Sequence, residues 1–381
     1  MTRGSPSFLK QFLSRHDQPC PGVEDGESAL TEVYRGEDPI VDIVAVHGLN
    51  GNAPHSFIAK DSGRMWLSDM DMLPRDIKNC RVLTYNYPAS IVALMGSTSS
   101  DRILQHAQTL VAELVADRQL EGAPERPIIF ICHSLGGIIV KRALIYSASR
   151  TAHMIEHIHS IYVSTYGILF LGTPHNGSDK ANLAVFSQRI VNTVFPSKLV
   201  DTDSQLLQAL RTGSEVLQEI TDNFIPLMKN FRIYFFWEQK KTNLGATWDY
   251  IVTESSAAPI LDNTERAGFE KSHQDMCKFG SRGSAGYKLV VACLARYVTA
   301  AQESVPRKWD TEKAVLASMR RNEAHQLLEQ ASYTLGYSMR ATEPMDPIRC
   351  ISYDDRPRSF MEQPVEEQIP DGSSPLSGLH A

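Results

Sequence analysis

The stretch IIFICHSLGGIIVKRAL, residues 128–144, sets a serine between two apolar segments. Ile128 to Ile131 form a continuous β-branched and aromatic run, which suits a strand buried on both faces of a parallel sheet. Gly136 and Gly137 then open a mixed segment with Ile138, Val140, Lys141, Arg142, Ala143 and Leu144, which suits a helix. A serine at a strand-to-helix turn is what a nucleophile elbow needs. The tight turn lifts the hydroxyl clear of the sheet, and small residues two positions either side let the two backbones approach. The pattern reads Cys132-His133-Ser134-Leu135-Gly136, with Cys132 where a glycine usually stands; a thiol is small and packs as a hydrophobe. The same residues also read as a buried strand followed by a helix that Ser134 merely caps. Partners elsewhere in the chain decide between the two.

Further strand-like runs flank this corner: TEVYRG from Thr31, VDIVAV (41–46), RVLTYNY (81–87), GILFLG (167–172), RIYFFW (232–237) and YIVT (250–253). Helical patterns separate most of them, including ILQHAQTLVAELVAD after Asp101 and KLVVACLARYVTAA near residue 288. Alternating strands and helices predict a mostly parallel sheet flanked by helices, in one α/β domain over 31–303. About sixty residues lie between Gly172 and Arg232. Within them Leu206, Leu210, Leu217, Ile220, Phe224, Leu227 and Phe231 recur at helical spacing, so a helical cap insertion is expected over 176–231, with a second layer of core helices as the alternative. Residues 1–30 read as a flexible segment, 304–339 as a helical extension and 340–381 as a disordered tail.

A serine hydroxyl needs a positioned base, and the base needs an orienting carboxylate. On an elbow of this kind the chain order is Ser, acid, His. Of the histidines that follow the strands, His325 sits in a polar helical segment and His380 is penultimate, which leaves His273, in FEKSHQDMCKF, as the base. Glu238, ending RIYFFWE, is the first choice for the acid, with Glu254 the alternative and Asp249 third. Acyl chemistry also needs donors aimed at a developing oxyanion. The amide of Leu135, directly after the serine, is one candidate. The loop His47-Gly48-Leu49-Asn50-Gly51 offers that of Leu49, and His47, Gly48 and His133 are expected to line the substrate pocket. His175, in GTPHNG, precedes the acid and is read as shaping the pocket rim. His153, His157 and His159 have a metal-like spacing without a third ligand of clear origin, so a surface helix is the better reading and no metal is expected.

Apolar residues make up 42% of the chain and charged residues 22%, as in ordinary globular proteins. The net charge of −6 and the absence of a concentrated basic run argue against nucleic acid as a partner. Six scattered cysteines, none in a C-x-x-C pair, suit a reducing, intracellular and most simply cytoplasmic setting. No apolar run reaches the length of a membrane span. The opening MTRGSPSFLKQFLSRH admits a mitochondrial presequence or an ordinary disordered terminus.

Taken together, VAVHGLNGN, YNYPAS, ICHSLGGIIVKRAL, FLGTPHNGS, FFWEQ and KSHQDMCKF resemble the serine esterase family of the α/β-hydrolase superfamily. The resemblance is to members related to the serine active site-containing protein of animals and to the N-terminal hydrolase domains of fungal NACHT and ankyrin proteins, and it covers roughly residues 38–300. It implies an α/β-hydrolase fold, with Ser134 as nucleophile, His273 as base and Glu238 as acid, and hydrolysis of an ester or lipid without a cofactor. It also leaves open peripheral membrane contact and an association with mitochondria or the endoplasmic reticulum. No G-x-x-x-x-G-K-[ST] follows residue 303, so the nucleotide-binding module of the fungal proteins is not expected. The leading expectation is a serine hydrolase cleaving a hydrophobic or lipid-like carboxylic ester. The alternatives are an acyltransferase or tailoring hydrolase using the same triad, a peptidase, and a non-catalytic signalling or interaction module. The natural substrate and the oligomeric state are not readable at this level.

Overall fold

The computed structural model describes residues 28–89, 99–175, 186, 189, 204–244 and 247–340. In chain order the strands are β1 (Leu30–Arg35), β2 (Val41–Val46), β3 (Cys80–Tyr85), β4 (Ile128–His133), β5 (Thr165–Leu171), β6 (Arg232–Glu238), β7 (Thr242–Asn243), β8 (Trp248–Asp249) and β9 (Thr264–Phe269). The helices are α1 (Leu73–Asp76), α2 (Ser99–Leu120), α3 (Leu135–Ala148), α4 (Glu156–Ser164), α5 (Ser204–Met228), α6 (Glu254–Ala257) and α7 (Tyr287–Arg340).

Seven strands form one sheet in the order β1-β3-β2-β4-β5-β6-β9. β1 runs antiparallel to β3, and every other neighbouring pair is parallel. All six residues of β2, β3 and β4 are buried, because helices or loops cover both faces, and this is why their sequences run apolar rather than alternate. One face carries Val44, Val46, Phe130, Cys132, Ile168 and Phe235 against the helical layer that includes α2, α3 and α5. The opposite face packs Ile43, Ile129, Ile131, Leu169 and Phe236 against Trp66, Phe279 and the first turns of α7. The fold is that of an α/β hydrolase, a mostly parallel central sheet flanked by helices.

Two sequence expectations are corrected. Tyr250 to Thr253 form no sheet strand. Ile251 and Val252 are buried, but as loop residues packed under the helical layer. Among the described residues the last strand is β9, TERAGF, an edge strand paired only with β6; its polar, partly exposed residues carry no strand-like apolar signal.

Of the expected insertion, residues 176–185, 187–188 and 190–203 lie outside the described residues. In the described part, α5 lays Leu217, Ile220 and Phe224 into the same core as α3.

The chain divides into two compact units, residues 1–321 and 322–381. In the first, α7 passes beyond residue 303 and stays tied to the body. Lys308 Nζ donates to the Tyr162 carbonyl at 2.9 Å, Trp309 Nε1–H to Ser164 Oγ at 3.2 Å, and His159 Nε2 lies 2.9 Å from Glu312 Oε1. In the second unit, Asn322 to Tyr333 are helical and exposed. The tail expected over 340–381 lies, apart from Arg340, outside the described residues. Among the described residues no helix is long and apolar enough to cross a membrane.

Candidate active site

Parallel strands end together, so the loops after β2, β4, β5, β6 and β9 meet at one edge of the sheet. Ser134 is the first residue after β4. Its backbone sits at φ 51° and ψ −121°, a region that costs a non-glycine residue about 1–3 kcal/mol and persists only where the surroundings enforce it. The enforcement is visible. Ser134 N–H donates to the Leu171 carbonyl at 2.9 Å, and the Ser134 carbonyl accepts from Thr173 Oγ1 at 2.9 Å and from Gly137 N–H at 3.1 Å. Gly136 is obligatory, since a β-carbon there would stand 2.5 Å from the carbonyl oxygens of both Val46 and His47. That contact presses the start of α3 against the end of β2.

His273 opens a short 3-10 turn four residues after β9. Ser134 Oγ–H donates to its Nε2 at 2.9 Å, which leaves the ring proton on Nδ1. Nδ1 faces Glu238 Oε1 at 3.6 Å, within ion-pair range and slightly beyond a direct hydrogen bond. Glu238 ends β6, is buried, and is oriented by the Val252 N–H, which donates to Oε1 at 2.8 Å. Its Oε2 and His273 Nδ1 are buried with no other partner. Burial pushes the His273 imidazole below its ordinary value, and the Glu238 charge opposes that shift. The ring is therefore neutral at pH 7 and free to accept a proton.

His133 Nε2–H donates to the His273 carbonyl at 2.8 Å, and the two rings lie 5.1 Å apart. Burial lowers the His133 value to about 4, so it remains a neutral brace.

A cavity of about 330 Å³ opens over Ser134 and His273, a size suited to a small molecule. Gly48, Leu49 and His133 are among its walls. His47 is not. It is completely buried beneath the loop, stacked on Tyr87 at 4.4 Å, with Nδ1–H donating to the Gly48 carbonyl and Nε2 accepting from Tyr87 N–H. Its lining role is corrected to support of the Gly48–Leu49 backbone, because both ring nitrogens are used inside the protein. The Leu49 and Leu135 N–H groups have no acceptor among the described residues.

The other candidates are placed apart from His273. Glu254 starts α6 and pairs with Arg266 at 2.6 Å, with its side chain 55% exposed. Asp249 pairs with Arg189 at 2.6 Å. His175 is buried edge-on against Phe170 and Phe235 rather than at a rim. His159 points to Glu312, and His153 lies near Glu156, so these two histidines do not converge. Among the described residues no group of three His, Cys, Asp or Glu is placed to hold a metal.

Sequence reasoning missed Val252, which aims Glu238, and Thr173, which clamps the serine turn. The first acts through a backbone amide and left no signal; the second stands in GTPHNG, whose position after a sheet strand is the signal that was available.

The model of the alpha/beta hydrolase family matches residues 43–249, over half the chain, and ends before His273. Protein SERAC1 of Bos taurus is 26% identical over 270 residues, which cover 67% of this chain and 38% of the relative. Protein SERAC1 of Homo sapiens is 26% identical over 271 residues, 67% of this chain and 39% of that one. The chain spans about two fifths of the length of the curated relatives it matches. Among solved structures, a lipase-esterase related protein from Clostridium acetobutylicum is similar with a TM-score of 0.38 and 13% identity, over 71% of this chain and 99% of that one. By the match of its family model, this chain belongs to the alpha/beta hydrolase family.

Proposed function

We propose that the protein is a serine hydrolase that cleaves a carboxylic ester through a Ser134-Glu238-His273 triad. The observation that carries this reading is the 2.9 Å hydrogen bond from Ser134 Oγ to His273 Nε2, made by a serine held in a strained turn at the floor of a cavity. Ser134 Oγ attacks the ester carbonyl as His273 Nε2 takes its proton. The developing imidazolium is stabilised by the Glu238 carboxylate behind it, which also fixes the tautomer. The Leu49 and Leu135 N–H groups receive the oxyanion of the tetrahedral intermediate. The protonated His273 then gives its proton to the departing alcohol. Water, activated by the same histidine, hydrolyses the acyl-enzyme and restores Ser134.

The substrate is a small-molecule ester with an apolar portion that packs on Leu49 and Ile251, both of which line the cavity. This is the part of the lipid-like expectation that the described walls support. Four buried free thiols, Cys80, Cys132, Cys277 and Cys293, support a reducing, intracellular setting.

The test is reaction with a fluorophosphonate probe followed by peptide mapping, together with hydrolysis of 4-nitrophenyl butyrate. The expected result is modification of Ser134 alone, with both labelling and hydrolysis lost in Ser134→Ala. A folded wild type that is neither labelled nor hydrolytic would establish a non-catalytic module instead.

A further inference from the structure

The cavity walls are unlike those of a site for a wholly apolar ester. Asn50, Asn52, His55, Ser56, Gln274 and Lys278 all line them. Lys278 is the one Lys, Arg, Asp or Glu among the described lining residues.

Its position is fixed relative to the base. His273, Gln274, Cys277 and Lys278 belong to one turn, in which Lys278 N–H donates to the Asp275 carbonyl at 3.0 Å. Cys277 Sγ–H closes on the Ser56 carbonyl at 3.1 Å, and Lys271 Nζ donates to the Lys278 carbonyl.

The Lys278 side chain is only 14% exposed, and its ammonium has no hydrogen-bond acceptor among the described residues. The nearest carboxylate oxygen, Asp275 Oδ1, is 3.6 Å away on a side chain that is 46% exposed, and the other Asp275 oxygen accepts from Ser272 Oγ. The ammonium carries three donors, and no hydrogen bond within the described residues takes any of them up. A cavity with one cation and no anion among its described walls favours a negatively charged occupant.

Building on the ester-hydrolase reading, we propose that the substrate is a short ester bearing an anionic oxygen group, in its acyl or its alcohol part, which Lys278 binds. The ammonium then acts as a specificity determinant, pairing with the charged group while Ser134 meets the ester carbonyl.

The experiment compares charged esters with neutral counterparts of similar shape. Mono-4-nitrophenyl adipate is set against 4-nitrophenyl hexanoate, and 3-acetoxybenzoate against 3-acetoxybenzamide. The wild type is expected to favour the charged member of at least one pair by about tenfold in kcat/KM at low salt, the ratio falling when NaCl rises to 0.5 M. Lys278→Met should bring that ratio close to one, and Lys278→Arg should restore most of it. A thermal melt establishes that each variant is folded, and should Lys278→Met not fold, the wild-type ratio and its salt dependence still decide. Preference for the neutral member of both pairs, or a preference that survives in Lys278→Met, would overturn the proposal. Failure of all four esters with Ser134 unlabelled would instead remove the hydrolase reading and this proposal with it, whereas turnover without charge preference removes only the proposal.

Discussion

The two ends of the central sheet both bury ionisable groups, and they treat them in opposite ways. At the amino-terminal end, Asp42 of β2 is completely buried and fully paired. Its Oδ1 accepts from Arg81 Nε at 2.9 Å and from Arg126 Nη1 at 3.0 Å, and its Oδ2 accepts from Arg118 Nη1. Arg81 continues outward to Asp117 at 2.5 Å, and the one unbonded nitrogen on each of Arg81 and Arg118 belongs to a side chain already anchored elsewhere. At the carboxyl-terminal end, Glu238 Oε2 and His273 Nδ1 are buried and left without hydrogen bonds, 3.6 Å separates the acid from the base, and Ser134 sits at a strained φ. A buried charge with every partner in place holds strands and helices in register. One left short of a partner keeps its capacity to respond when a neighbour gains charge. At the first end the loss of a partner is strongly destabilising, whereas the second holds a geometry that stability alone does not require.

If this division holds, mutations at the two ends affect different observables. Asp42→Ala removes the carboxylate shared by three guanidinium groups, those of Arg81, Arg118 and Arg126, and is expected to cost about 3–5 kcal/mol in a urea or thermal unfolding experiment. The kcat/KM of the folded fraction should stay within about twofold, because the site lies at the far end of the strand. Glu238→Gln is the converse. The amide oxygen can still accept from Val252 N–H, so the melting temperature should change little, while turnover falls by roughly 10²- to 10⁴-fold as the imidazolium loses its counter-charge. Glu254→Gln, which breaks only a surface pair with Arg266, should stay within about tenfold of wild type, at most roughly 1.4 kcal/mol in barrier height. Steady-state kinetics on a 4-nitrophenyl ester measures both carboxylates. The opposite ranking would move the acid role to Glu254.

The candidate site was legible in the sequence wherever residue chemistry and chain order coincide. Ser134 announced itself through an apolar run, a small residue on each side and two glycines, and these same residues shape the turn. Glu238 and His273 followed from order along the chain. What escaped was whatever depends on the fold rather than on residue type. β9 carries Thr264, Glu265 and Arg266 on an edge and gave no strand signal, whereas Ile251 and Val252 looked like a strand because burial selects apolar residues in loops as well as in sheets. His47, in a glycine-rich loop, looked like a pocket residue, yet its Nδ1 is spent on the Gly48 carbonyl and its Nε2 on the N–H of Tyr87, forty positions away. The paired end of the sheet was missed for the same reason: Asp42, Arg81, Arg118 and Arg126 come from different elements, and no spacing links them.

The central claim, that His273 serves as the base for Ser134, is tested most directly by the pH dependence of the rate at which a fluorophosphonate modifies Ser134. Burial lowers the His273 value below 6.5, so the base is half protonated only on the acid side of that point. The wild-type rate is expected to rise with pH through a midpoint below 6.5 and to have levelled off by pH 8. In His273→Ala the rate should fall by about 10³-fold or more and the acid limb should vanish. Labelling of His273→Ala at the wild-type rate, or persistence of the same limb in that variant, would contradict the assignment.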